Sequence, residues 1–302
     1  MDLITKLEFL LALSRERHFG RAARACRVSQ PTLSAGLRQL EDQLGVPLVQ
    51  RTSRFQGLTA DGERVLVWAR RLVADSRAMR QEIAALKQGL TGRLRIAAIP
   101  TALAMVPLLT TPFRAAHPRV DFAVLSRNSS EILALLEDLQ IDAGLTYLDN
   151  ERLGRVTAVP LYRERYRLLT ARDAPLGDRE VVTWTEVAQI PLCLLTPDMQ
   201  NRRIIDQLLR AAGSTSSPTL ESNSMIALFA HVQTGRWASV MPSRLAQMLR
   251  LMERIRSIPI VDPDAAHMIG LVVPRRDPMT PLVTALVRQA EMIAADLELP
   301  PG

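Results

Sequence analysis

Val28-Ser29-Gln30-Pro31-Thr32-Leu33-Ser34-Ala35-Gly36-Leu37-Arg38-Gln39-Leu40-Glu41-Asp42-Gln43-Leu44 decides how the first part of this chain folds. Ser29 or Gln30 can accept from the free N–H groups of a helix start, and Pro31 fits the first turn, where its missing N–H leaves no bond unmade. Leu33, Leu37, Leu40 and Leu44 then fall on one stripe, with Gln30, Thr32, Ser34, Ala35, Arg38 and Gln39 beside or opposite it. Upstream, Leu3, Leu7, Leu10, Leu11 and Leu13 predict a helix ending near His18-Phe19-Gly20. The short stretch 20–26 adds a second helix whose small residues admit a close neighbour. Two helices separated by so tight a turn make a helix-turn-helix.

In that motif the start of the second helix enters the DNA major groove, where Gln can bond adenine, Arg guanine, and Ser or Thr a phosphate or base edge. Ser29, Gln30, Pro31, Thr32, Ser34, Arg38 and Gln39 are therefore the candidate DNA-facing residues. Residues 49–59 predict a two-stranded wing, with Arg51, Thr52, Ser53 and Arg54 as candidate phosphate ligands. A plain three-helix unit with solvated arginines would share this topology.

The charge is unevenly distributed along the chain. Residues 1–90 carry 15 Lys or Arg against 9 Asp or Glu, a net +6, whereas residues 91–302 carry 23 against 22, a net +1. An excess confined to one end suits a polyanionic partner for that end alone. With 47% hydrophobic and 23% charged residues, disorder is excluded and 302 residues suffice for two or three domains. There is no apolar run of about 18 residues and no signal-peptide pattern at the start, so a cytoplasmic protein without membrane attachment is expected. Cys26 and Cys193 are isolated, which signals neither disulfide framework nor zinc site.

From Asp61 to about Leu90 there is no proline, and Val65, Ala69, Leu72, Ser76, Met79, Ile83, Leu86 and Leu90 recur at alternating steps of four and three. Such a heptad seam on a rod of roughly 45 Å is satisfied by a second copy of itself, the alternative being an amphipathic helix laid on its own domain, which Ser76 in the seam and Trp68 beside it would suit. Val65, Ala69, Leu72, Met79, Ile83 and Leu86 are thus the expected dimer contacts, and a dimer presents two recognition helices to half-sites about one turn apart.

Beyond Gly89 and Gly92 the pattern becomes strand alternating with helix: strands near 94–99, 120–125, 143–147, 190–195 and 238–241, and helices near 101–116, 130–139, 202–212, 225–234 and 281–297. This predicts a mostly parallel sheet in two α/β lobes, with crossings near 159–163 and 268–272. Ligands in such sheets lie beyond the carboxyl ends of strands, at helix starts. The polar turns there make Thr101, Arg127, Asn128, Ser129, Thr146, Thr196, Arg202 and Asn223 candidate effector contacts, suited to a carboxylate or other small anion. Each Ser, Thr or Asn could equally be a helix cap.

Phe19-Gly20-Arg21-Ala22-Ala23, Val28 to Ser34, Leu40 to Leu48 and Leu58-Thr59-Ala60-Asp61-Gly62 together closely resemble the amino-terminal domain of LysR-type transcriptional regulators, and Phe113-Arg114-Ala115-Ala116-His117-Pro118 and Asp142-Ala143-Gly144-Leu145 resemble their regulatory domain more loosely. The resemblance implies an all-α winged helix-turn-helix over 1–60, a linker and dimerisation helix over 61–90, and a two-lobed α/β regulatory domain of periplasmic-binding-protein-like fold over 91–302. Its lobes would be about 91–160 with 269–302, and about 161–268. It further implies a homotetramer on a pseudo-palindromic DNA site, a small-molecule effector, and RNA polymerase as a further partner. Family members often carry Arg and Gln where this chain has Ala35-Gly36, which shifts base reading toward Gln30, Thr32, Ser34 and Arg38.

His18, His117, His231 and His267 are scattered, and no nucleotide-binding or nucleophile motif occurs, so neither enzyme activity, metal nor cofactor is expected. The competing expectation is a cytosolic small-molecule receptor whose first helices only oligomerise.

Overall fold

The computed structural model describes residues 1–51, 55–149, 152–214, 217–248 and 254–298. The chain divides into two compact units, residues 1–89 and 90–302. No helix among the described residues is long and apolar enough to cross a membrane.

In the first unit, α1 (Leu3–Glu16), α2 (Phe19–Ala25) and α3 (Gln30–Leu44) surround a core of Leu7, Phe9, Leu10, Leu13, Leu33, Leu37 and Leu40. Each start is capped by a side chain that sequence can supply: Asp2 receives the Thr5 N–H at 2.7 Å, His18 Nδ1 the Gly20 N–H at 3.0 Å, and Ser29 Oγ the Thr32 N–H at 3.2 Å. Ser29, not Gln30, is therefore the α3 cap. Strands β1 (Val49–Arg51) and β2 (Phe55–Leu58) pair antiparallel as the wing.

The long helix α4 (Ala60–Gln88) starts on Thr59, which accepts from Gly62 N at 2.9 Å and donates to Pro47 O at 2.6 Å. Gly62 is obligatory at this junction, because a Cβ there would lie 2.1 Å from the Leu48 carbonyl oxygen.

In the second unit, β3 (Gly92–Ala98) pairs parallel with β4 (Val120–Ser126) and β5 (Ala143–Tyr147), and Asp142 accepts from Arg95 Nε and Nη2 at 3.1 and 2.9 Å to fasten β3 to the start of β5. One turn of 3-10 helix (Leu103–Met105) leads into α5 (Val106–Ala116), and α6 (Ser129–Glu137) follows β4. The expected short crossing near 159–163 is in fact a 16-residue strand, β6 (Val156–Ala171), running unbroken from the first lobe into the second.

The second lobe holds β7 (Val182–Thr183), α7 (Trp184–Val187), β8 (Cys193–Leu195), α8 (Gln200–Ala211), β9 (Leu220–Ser222), α9 (Met225–Val232), β10 (Ser239–Pro242), α10 (Ser243–Met248) and β11 (Ile255–Val261). β12 (Ala266–Pro274) returns antiparallel beside β6 and β5, and α11 (Pro281–Glu298) packs on β6 and α5. The sheet is accordingly mixed, β4-β3-β5-β12-β6-β11-β7 with β10 also on β6, and not mostly parallel. A strand that leaves a lobe and another that comes back must run oppositely, so two crossings side by side impose antiparallel pairs.

An exposed glycine-to-alanine change inside a helix ordinarily stabilises by about 1 kcal/mol. Gly62→Ala is expected to do the reverse, lowering stability by about 2 kcal/mol as the Leu48 backbone is forced aside. The urea unfolding midpoint reads the sign, and a raised midpoint would contradict the close approach.

Candidate functional site

On α3 the spacing of the leucines sorts the helix into two faces. Leu33, Gly36, Leu37 and Leu40 are buried, Gln30, Pro31, Thr32, Ala35, Arg38 and Gln39 are exposed, and Ser34 is half-buried. Ser29 is exposed too, but its hydroxyl lies 2.8 Å from Thr32 Oγ1 besides capping the helix. Gly36 is a packing residue: a Cβ there would stand 2.8 Å from the Phe9 ring, so its lack of side chain lets α1 approach.

Glu41, which the sequence did not single out, accepts from Leu48 N at 2.9 Å and Val49 N at 3.1 Å. It ties the wing's first strand to α3. The signal available was a carboxylate one turn before a helix end that is followed by an extended segment. Arg51 lies in β1, and Thr52, Ser53 and Arg54 lie outside the described residues.

The heptad reading of α4 needs correction at its front. Ala69 is fully buried and Val65 packs against the same core, alongside Leu66 and Val73, while Arg77 Nη2 donates to Glu8 on α1 at 2.9 Å. These positions are used within their own unit because α1 already covers that side of α4. Leu72, Met79, Ile83 and Leu86 remain exposed together with Trp68, the last two at 84% and 62%.

In the second unit, two pairs of polar residues at strand ends and helix starts come together. Thr146 Oγ1 donates to Ser129 Oγ at 3.0 Å, both residues being buried, and Thr101 is buried with its hydroxyl unpartnered. Asn128 closes a capping box with Glu131 and donates to Asp198 of the second lobe at 3.2 Å. Thr196 is half-buried after β8, Arg127 is exposed with Nη1 on Ser126 O, and Asn223 is exposed beside Ser224, the actual cap of α9.

Arg202, expected to face an effector, is tied within the second lobe. It is buried, but Nε donates to Asp206 at 2.7 Å while Nη1 donates to Leu195 O at 2.7 Å and Glu221 at 2.8 Å. Its Nε and Nη1 donors are thus committed to the protein's own carboxylates and backbone.

The sequence missed a second group on the crossing strand. Tyr162, Glu164, Tyr166 and Leu168 alternate onto the buried face of β6, a period-two pattern in which one carboxylate stands where apolar residues belong. Tyr147 Oη donates to Glu164 Oε1 in a short hydrogen bond, and Asn201 Nδ2 at the start of α8 donates to Tyr147 Oη at 3.2 Å. First lobe, crossing strand and second lobe are thus joined by one buried chain of donors ending on Glu164. The His267 ring, opposite Glu164 on β12, lies 6.3 Å from the Tyr147 ring and 6.0 Å from the Tyr166 ring, and the Arg244 guanidinium lies 4.9 Å above the Tyr162 ring.

Burial pushes the Glu164 carboxyl up to about 7, with the Tyr147 hydrogen bond opposing. Burial also raises the Tyr147, Tyr162 and Tyr166 hydroxyls and lowers the His267 imidazole. Cys193 is wholly buried, which pushes its thiol up to about 11, and its Sγ donates to Leu228 O at 3.6 Å. Cys26 is half-buried in the first unit and its thiol is raised by burial as well. No group of His, Cys, Asp and Glu among the described residues could hold a metal ion.

Residues 4–63 match the family described as “Bacterial regulatory helix-turn-helix protein, lysR family”, and residues 87–293 match “LysR substrate binding domain”. The chain is 29% identical over 296 residues to the DNA-binding transcriptional dual regulator OxyR of Escherichia coli K12, covering 98% of this chain and 96% of that protein. It is 28% identical over 270 residues to the hydrogen peroxide-inducible genes activator of Dickeya chrysanthemi, covering 89% and 88%. Among solved structures, a full-length OxyR variant from Pseudomonas aeruginosa superposes with TM-score 0.75 at 25% identity, covering 96% of this chain and 99% of that one. Full-length CbnR complexed with its target DNA superposes with TM-score 0.65 at 21% identity, covering 97% and 100%.

The raised Glu164 carboxyl makes a signed prediction. Because its folded value lies above the unfolded one, its contribution to stability is full below about pH 4 and is lost as pH rises through about 7. Relative to Glu164→Gln, the wild type should therefore lose about 3 kcal/mol between acid and mildly alkaline pH. Thermal unfolding of both across that range measures it, and parallel profiles would contradict the buried ionisation.

Proposed function

The chain belongs to the LysR family of bacterial helix-turn-helix transcriptional regulators, and from that premise we propose that it acts as a dimer on a pseudo-palindromic site and responds to a small effector between its lobes. The exposed polar face of α3 is the observation that carries this reading. Gln30, Thr32, Arg38 and Gln39 stand outward on a helix whose other face is fixed by four buried positions, the arrangement that major-groove reading requires. A receptor whose first helices served only for oligomerisation would have no use for that face.

The dimer contact is assigned to exposed Leu72, Met79, Ile83 and Leu86, which keep the steps of three and four when Ser76 is counted between the first two, with exposed Trp68 beside them and with Val65 and Ala69 taken into the unit's own core. The effector is assigned to the inter-lobe cleft, where Thr146 bonds Ser129, Asn128 reaches Asp198 and Asn201 reaches Tyr147, and where Thr101 and Thr196 stand at further strand ends. Binding would act by favouring one arrangement of the lobes over another.

Relatives named as hydrogen peroxide-inducible activators raise thiol oxidation as the signal. Neither cysteine here suits it: a peroxide-reactive thiol needs a lowered pKa and access, and both thiols are raised. The reading is therefore a reversibly bound effector.

Electrophoretic shifts on the gene's upstream region test the DNA reading. Arg38→Ala combined with Gln39→Ala should weaken binding at least about tenfold while leaving effector-induced stabilisation intact. Ile83→Glu should yield a monomer by sedimentation and abolish the specific shift. Unchanged binding by the first variant, or a persisting dimer with the second, would contradict the corresponding assignment. Hydrogen peroxide treatment is expected to leave the shift unaltered, and an oxidant-dependent change lost in Cys193→Ser would restore the thiol reading.

A further inference from the structure

The cleft's chemistry can be read from what it leaves unsatisfied. Thr101 Oγ1, Thr196 Oγ1, Tyr162 Oη, Tyr166 Oη and Glu164 Oε2 are buried without a hydrogen-bond partner among the described residues. Glu164 is 1% exposed, so an ionised carboxylate with one bare oxygen costs several kcal/mol unless a donor arrives. His267 faces Glu164 across the β6–β12 pair, where burial favours its neutral form, and the arginines of this region are engaged elsewhere. Arg202 serves Asp206 and Glu221, Arg203 donates to Gln200 at 2.8 Å and to Asp198 O at 2.9 Å, and Arg244 lies over the Tyr162 face. No Lys or Arg among the described residues forms an ion pair with Glu164.

The existing hydrogen bonds also have a direction. Asn201 donates to Tyr147 and Tyr147 donates to Glu164, so the chain terminates on the carboxylate as acceptor. Around it stand the Tyr147, Tyr162 and Tyr166 rings, and aromatic faces attract cations. Tyr162 already holds one guanidinium in this way.

We propose that the inter-lobe cleft receives a small molecule bearing a protonated nitrogen, whose N–H groups are taken by Glu164 Oε2 among the tyrosine rings, and not the small anion that polar helix starts alone would suggest. The inference rests on the cleft being the effector site. A cation bound there would bridge the crossing strand and both lobes through Glu164, Tyr147 and Asn201, so its charge would be felt where the lobes hinge.

The test uses the intact protein and two matched sets of probes: putrescine, agmatine, benzylamine and benzamidine against acetate, succinate and benzoate. Unfolding temperature is recorded with each at constant ionic strength for the wild type, Glu164→Gln and Tyr162→Phe. At least one nitrogen cation should raise the wild-type midpoint, more at about pH 8 than at about pH 6, as the carboxyl ionises. Glu164→Gln should lose that increment, and Tyr162→Phe, which removes one unpartnered oxygen without altering packing, should weaken the same probe several-fold. Stabilisation by the carboxylates alone, by no probe at all, or equally in Glu164→Gln would overturn the proposal. Gel shifts on the same preparation separate the failures: intact DNA binding with no response to amines sinks only this inference, whereas absent DNA binding sinks the regulator reading beneath it.

Discussion

The first unit depends on one constraint: α3 must hide a narrow stripe and expose everything else. Leu33, Leu37 and Leu40 are wholly buried, each worth roughly 1.5–3 kcal/mol, and Gly36 lets Phe9 of α1 lie close between them. That packing fixes the helix about its own axis. The polar residues then have no freedom to turn inward, and the cap on Ser29 sets where the helix begins. Glu41 extends the same control to the wing by holding the Leu48 and Val49 N–H groups. The orientation of the polar face is a by-product of core geometry, which is why it can be presented in one defined direction.

The same logic explains what could be read from the residues alone. The helix-turn-helix was legible because its determinants are local: caps, a proline in the first turn, leucines three or four apart. The front of α4 was not, since Val65 and Ala69 carry the same heptad spacing as Ile83 and Leu86 but meet α1, a neighbour the spacing does not encode. Arg202 misled for a similar reason. Asp206 is one turn away and could have been suspected, whereas Glu221 reaches it only after β9 is paired to β8. The length of β6 escaped because each half reads as an ordinary strand, and their union exists only when both lobes are built on it.

Glu164 illustrates how a function can sit in a place that pattern reading passes over. A lone glutamate among arginines and tyrosines looks like one more exposed strand charge, yet the alternation of β6 turns it inward. Once inside, it is the acceptor for a tyrosine from one lobe that itself receives an asparagine from the other. Buried polar chains of this kind are sensitive to any group added to or removed from them. A cleft closed by Asn128 to Asp198 on one side and Tyr147 to Asn201 on the other has two polar contacts that a ligand can reinforce or break.

The account as a whole stands on two copies of α3 reaching one duplex. Hydroxyl-radical footprinting of the intact protein on its upstream region tests that most directly. The account predicts two protected patches related by a dyad, their centres about 10 base pairs or a whole multiple of turns apart. A single protected patch, or protection without helical phasing, would contradict it.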